Sequence, residues 1–182
     1  MTDPGGETRE HAATPLSFEI VYRTHAARIY RFCLSQMGNP SEAEDVAADV
    51  FVSAFAAYER TRPAPEAVAA WLTAIARNAV VDHYRRRDRW SLLWTRFLSV
   101  RSEVDANADV EAAVLLRDEL RLVLAASARL RERNRLLVGL RIAADLSYAE
   151  VGGIMGLSEH AATVATRRAL SRLRQLYEGG GR

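Results

Sequence analysis

A chain of 182 residues, 49% of them apolar, is long enough for one large domain or two small ones with a packed core. Its formal net charge is only +2, and its single cysteine, Cys33, excludes an internal disulfide and a cysteine-based zinc site. No apolar run approaches the roughly 20 residues that span a bilayer, so the sequence reads as a cytoplasmic protein not inserted in a membrane.

Residues 1–15 hold Pro4, Gly5, Gly6 and several acids without an apolar segment, which predicts a disordered tail and not a signal peptide. From residue 16 onward the periodicity is helical and no strand alternation stands out. Phe18, Val21, Tyr22, His25, Ile29, Phe32 and Cys33 recur at spacings of three and four, an apolar stripe that stops at Gly38-Asn39-Pro40. Ser41 is the expected cap of the next helix, with Glu44 as its capping-box partner. That helix is expected to turn Val46, Val50, Phe51, Ala54, Phe55 and Tyr58 inward.

Thr61-Arg62-Pro63-Ala64-Pro65 is a stiff loop, because each proline restricts itself and the residue before it. A third helix is predicted from Glu66 or Ala67 to about Arg87, with Trp71, Leu72, Ile75, Val80 and Tyr84 inward. Arg77, Asn78, Asp82, Arg85 and Arg86 then fall on more exposed faces. Between Asp88 and about Asn107 the pattern breaks around Trp90, Leu92, Leu93, Trp94, Phe97 and Leu98. This stretch reads either as a short docked helix or as a linker whose apolar side chains lie in a partner's groove. A second domain begins near Val110, with a helix through Leu124 and another from Arg131 to Ala143.

Leu146 to Arg174 carries the most specific local signal. Ser147 and Glu150 have capping-box spacing, Gly156 stands where a helix must stop and turn, and Ser158 offers a fresh N-cap. Two short helices around a glycine turn, the second ending among arginines, is how a helix-turn-helix presents itself to a major groove. The expected fold is therefore all-α: two small helical domains joined by a linker, the C-terminal one containing a helix-turn-helix. The expected boundaries are 16–88 and 110–178, with 89–109 as linker and 179–182 as a tail.

Charge is segregated along this plan. Residues 32–59 contain five carboxylates and no arginine, and residues 102–119 contain six carboxylates against Arg117. Residues 77–96 contain six arginines against Asp82 and Asp88, and residues 120–182 contain eleven arginines against five acids. All 25 basic residues are arginine, which keeps its charge and pairs bidentately with phosphate and guanine, although a GC-rich genome encodes the same bias. Separate basic and acidic faces imply separate partners, a polyanion and a basic protein surface.

On FEIVYRTHAARIYRFC, SEAEDVAADVF, AWLTAIARNAVVDHYRRR and the long C-terminal segment from Ala128 to Arg174, the chain resembles bacterial sigma factors of the extracytoplasmic-function group. Those proteins keep the region-two and region-four domains of the sigma-70 family, joined by a linker. The four segments follow the family's order and cover most of the chain.

The resemblance implies roles for particular residues. Asp45 and Asp49, with Ala48 and Phe51, match the segment that docks on core RNA polymerase; the family often has glutamine where Ala48 stands. Arg77, Asn78, Asp82, Arg85, Arg86 and Arg87 match the helix that reads the −10 element as single-stranded promoter DNA. The loop from Glu59 to Glu66 matches the segment that accommodates a flipped base. In the −35 reader, His160, Thr163, Val164 and Arg167 share a face suited to base contacts. Ser158, Arg168, Arg172 and Arg174 complete that expected interface, the three arginines on phosphates. Where the family commonly has glycine, threonine and valine, this chain has His160, Ala161 and Ala162, so promoter sequence does not carry over. An anti-sigma factor is a further partner the resemblance implies.

An ordinary helix-turn-helix regulator accounts for Leu146 to Arg174 but leaves the other motifs without a purpose. An enzyme is the least supported reading. Its four histidines, at 11, 25, 83 and 160, have no metal-ligand spacing, and no nucleophile–base pair, phosphate-binding glycine loop or cofactor motif accompanies them. No small-molecule substrate, cofactor or metal is expected.

Overall fold

Serine, asparagine and glycine set the limits of the first helices. In a computed structural model that describes residues 17–94 and 111–179, Ser17 starts α1 (Phe18–Met37) by accepting a bond from the Ile20 amide. Gly38 ends it at φ 72°, with its N–H on the Leu34 carbonyl. Next, α2 (Pro40–Thr61) is capped by Asn39, whose Oδ1 accepts from the Glu42 amide at 3.1 Å. The cap expected at Ser41 is thus displaced by two residues. Pro40 takes the first helical position, where its fixed φ is pre-organised and its missing N–H costs nothing.

A short 3-10 turn, Pro65–Ala67, leads into α3 (Val68–Trp94). The helix continues through Asp88 and ends seven residues beyond the expected Arg87. With no glycine or proline from Val68 to Trp94, the change from an amphipathic to an aromatic pattern does not stop the backbone. Side chains are described only as far as residue 87, so the packing expected of Trp90 through Trp94 lies outside the described residues, as do Phe97 and Leu98.

The second group contains α4 (Glu111–Ala128), α5 (Glu132–Val138), α6 (Tyr148–Met155) and α7 (Glu159–Gly179). The single helix expected from Arg131 to Ala143 is instead α5 followed by a π turn, Gly139–Ala143. The turn is closed by the Ala144 amide on the Gly139 carbonyl at 2.9 Å. Among the described residues there is no strand, and no helix is long and apolar enough to cross a membrane.

Two helical domains result. Val21, Ile29, Phe32 and Cys33 of α1 are buried with Val50 and Ala54 of α2 and Leu72, Ala76 and Val80 of α3. In the second domain, Leu136, Leu137 and Leu140 are buried with Val151 of α6 and Ala162 and Ala169 of α7. Phe55, expected inside, is 67% exposed, and Tyr22 is half-exposed. The inner face of α2 is already filled by Val46, Val50, Phe51, Ala54 and Tyr58, so Phe55 stands one step outside it. There it meets Phe18 edge-on at 5.2 Å, as Tyr22 meets Phe51 at 4.7 Å.

Phe32 is completely buried at the centre of the first domain. Phe32→Ala should therefore lower stability by about 3–5 kcal/mol, the usual range for emptying such a site. Denaturant-induced unfolding monitored by circular dichroism will read that loss; a change within 1 kcal/mol of zero, on the order of a surface substitution, would show that Phe32 is not central.

Candidate nucleic-acid and protein interfaces

Local capping chemistry builds the helix-turn-helix. Ser147 Oγ accepts from the Glu150 amide at 3.2 Å, and Glu150 Oε2 accepts from the Ser147 amide at 2.7 Å, the reciprocal box the spacing predicts. Gly156 turns the chain at φ 66°, the left-handed region open to glycine, and Ser158 Oγ accepts from the Ala161 amide at 3.2 Å to start α7. Gly152 has a packing reason. A Cβ there would lie 2.7 Å from the Leu157 carbonyl oxygen, so α6 can approach the turn only without a side chain. A Cβ at Gly153 would meet nothing within 4 Å, and the structure gives no reason for that glycine.

Ala162, Thr166 and Ala169 hold the inner face of α7, leaving the polar face outward. His160 and Arg167 are exposed, whereas Thr163 and Val164 are half-buried. The Thr163 hydroxyl donates to the Glu159 carbonyl at 2.9 Å, so its methyl and not its hydroxyl is free for a base. Ser158, Arg168, Arg172 and Arg174 are exposed. Arg172 donates to Gln175 at 3.2 Å and Arg174 to Glu178 at 2.7 Å. Exposed pairs of this kind are screened by solvent and contribute little, so a phosphate can replace them readily.

On α3, Asn78, Asp82, Arg85, Arg86 and Arg87 are exposed and Arg77 is half-buried. Asp82 and Arg85 lie 3.5 Å apart, a surface pair one helical turn long, and Arg77 donates to Asn78 Oδ1 at 2.9 Å. Tyr84 is buried within the same stretch and is not a ready contact for an outside molecule. His83 Nε2 stands 3.4 Å from Glu42 Oε2, joining the start of α2 to α3.

Asp45, Ala48 and Asp49 are exposed on α2, and Phe51 is buried beside them. Ala48 and Phe51 also line a groove of about 580 Å³ between α1 and α2, with Tyr22, Ala26, Tyr30 and Ala47. Phe55 and Val52, 67% and 70% exposed, extend the apolar surface along α2. An uncovered apolar surface bordered by carboxylates is a candidate interaction surface. Sequence reasoning found the acids and missed the aromatics, because Tyr22 and Phe55 share the periodicity of the core.

Among the described residues, no group of three or more histidine, cysteine and carboxylate side chains could hold a metal ion. Burial pushes the Cys33 thiol up to about 12, which removes it as a thiolate nucleophile near neutral pH. Burial, with a smaller contribution from Arg28, lowers the pKa of His25 and disfavours its cationic form.

Residues 21–89 match the family model for sigma-70 region 2. The chain is 32% identical over 142 residues to the ECF RNA polymerase sigma factor SigF of Caulobacter vibrioides, covering 78% of this chain and 74% of that one. It is 29% identical over 175 residues to the ECF RNA polymerase sigma factor BldN of Streptomyces coelicolor, covering 96% of this chain but 65% of BldN. The fold resembles the sigma factor RpoE solved with the anti-sigma factor NepR from Bartonella quintana. The TM-score there is 0.67 at 21% identity, over 88% of this chain and 96% of RpoE. The chain belongs to the ECF RNA polymerase sigma factors.

The two neighbouring glycines separate packing from propensity. Gly152→Ala should destabilise the second domain through the Leu157 carbonyl, whereas Gly153→Ala should stabilise it by about 0.5–1 kcal/mol because alanine favours helix. Thermal unfolding of both variants checks the contrast; equal shifts would deny Gly152 its packing role.

Proposed function

We propose that this chain binds core RNA polymerase, reads −35 and −10 promoter elements and drives promoter melting, with residues 16–88 and 110–178 as the two functional domains. In this reading Asp45, Ala48, Asp49 and Phe51 face the polymerase. Arg77, Asn78, Asp82, Arg85, Arg86 and Arg87 hold the −10 strand. Ser158, His160, Thr163, Val164, Arg167, Arg168, Arg172 and Arg174 form the −35 interface. The observation that carries this assignment is the joining, in one chain, of a region-2 match over 21–89 to a helix-turn-helix with an arginine-rich outer face. A duplex-binding regulator needs the second part and has no use for the first.

The chemistry of the two arginine sets differs. On α7 the exposed arginines can position a duplex through phosphate while His160 and Arg167 reach base edges. On α3 they can track the backbone of one strand while Asn78 and Asp82 hydrogen-bond unpaired bases. Unpairing and extracting a base costs a few kcal/mol, which must come from these contacts and from polymerase, since the sequence carries no ATP-binding motif. The protein acts by binding and is not an enzyme, and its work with polymerase places it in the cytoplasm. The anti-sigma partner of Bartonella RpoE supports regulation of the same kind here.

Run-off transcription with core polymerase from a related bacterium and a library of promoter fragments tests this reading. Discrete transcripts should require the protein. They should fall at least about tenfold for Asp45→Arg/Asp49→Arg, which places charges of the wrong sign on the docking face, a penalty of several kcal/mol for like charges at an interface. Arg85→Ala/Arg86→Ala should retain core binding but lose initiation. Duplex binding without core association or initiation would refute the proposal in favour of an ordinary regulator.

A further inference from the structure

Helix α7 turns an apolar side chain outward in the middle of its polar face. Ala162, Thr166 and Ala169 are buried, and Ala165, Leu170 and Leu173 pack against the same core. At about 3.6 residues per turn, Val164 falls roughly 160° round the helix from that buried line. It is half-buried, with exposed His160 one turn before it and exposed Arg167 and Arg168 one turn after. Beside it, Thr163 spends its hydroxyl proton on the Glu159 carbonyl at 2.9 Å. The middle of the outer face therefore offers methyl groups, with hydrogen-bonding side chains on either side of them.

Interior packing does not call for a valine at this place. Two β-branched residues in succession lose side-chain freedom against the preceding turn, so alanine or arginine would suit the helix better. The same stiffness holds Val164 essentially in one rotamer, and little entropy is lost when a ligand covers it.

The major groove of a duplex shows hydrogen-bonding atoms on every base and one apolar group, the C5-methyl of thymine. Guanine O6, purine N7 or cytosine N4 set against the valine methyls would lose water and gain no partner. A thymine methyl loses only apolar hydration, which favours the contact. We propose that Val164 is a specificity residue that selects a thymine methyl in the −35 element, at the base pair lying against the middle of α7. His160 and Arg167 flank that contact, and Arg168 holds phosphate beside it. This role depends on the −35 function proposed above for α7. A 5-methylcytosine carries the same group, and an unmodified promoter supplies it only as thymine.

The test uses the full-length protein with core polymerase from a related bacterium to select promoter fragments randomised across the −35 region. The selected fragments should share an A·T pair at one fixed position. Uracil in place of that thymine removes only the methyl group and should weaken binding about fourfold, the usual effect of burying one such group. A pair of guanine with 5-methylcytosine at that position should be bound more tightly than one with cytosine, which separates the methyl from the rest of the base. Val164→Ala should bind the thymine and uracil fragments alike. The substitution leaves the buried line of α7 untouched, so helical circular dichroism should be unchanged. The uracil penalty should be equal at low and high salt, whereas Arg168→Ala should flatten the salt dependence of binding. A selection with no fixed A·T pair, uracil bound as tightly as thymine, or a penalty undiminished in Val164→Ala would overturn the assignment. If the protein associates with no core polymerase, the function proposed above fails. The same uracil comparison, on duplex selected by the chain alone, then decides whether Val164 reads a methyl group.

Discussion

Helix α1 packs against elements of both halves of the molecule, and that constraint organises the rest of it. Val21, Ile29, Phe32 and Cys33 commit it to α2 and α3, while Ser35 and Gln36 commit its last turn to the second domain. Packed interiors transmit displacement because they are dense and nearly incompressible. The groove beside Phe51, the position of Tyr84 and the seat of Arg135 are therefore all referred to one rigid element. A shift of α1 by the width of a methyl group would be felt at each of them.

Charge is arranged so that the same scaffold can face different partners without conflict. Five carboxylates fall between residues 32 and 59, and one of them, Glu44, lines the α1–α2 groove with Tyr22 and Tyr30. Among the described residues, Arg85 of α3 and Arg172 and Arg174 of α7 pair with nearby side chains through solvent-exposed contacts. Such pairs are screened by salt and contribute little, whereas phosphate contacts gain from counterion release. Association with promoter DNA in the proposed role is thus strongly salt-dependent, and association through the apolar α1–α2 groove less so. Arg87 of α3 is an exception, because it shares the Tyr84 ring with Arg135 of α5, and part of the charge of both is directed at that ring.

How much of this was legible in the sequence depended on whether the signal was local. The Ser147–Glu150 box, the left-handed Gly156 and the Ser158 cap follow from spacing alone, because each involves residues within one turn of each other. Gly152 was equally readable, as close approach is the ordinary reason for a glycine inside a helix. The cap of α2 was misplaced because Ser41 and Asn39 both had capping chemistry, and only Pro40 between them decides. Phe55 and Tyr22 were assigned to the core because periodicity counts apolar residues and cannot tell how wide a stripe the neighbours will cover. The Gln36–Arg135 contact spans 99 residues of sequence, and neither residue carries a pattern that points to the other. Family resemblance suggests the proposed roles of the arginines, while the structure gives their present neighbours.

In the proposed role this chain, with polymerase, opens a promoter by binding energy alone. Permanganate reactivity of thymines on a promoter fragment tests that most directly, with core polymerase and this protein present and no nucleotide added. Reactive thymines are expected within and just downstream of the −10 element, absent when either protein is omitted and lost with Arg85→Ala/Arg86→Ala. A promoter that is bound and protected by the complex but remains fully paired would contradict it.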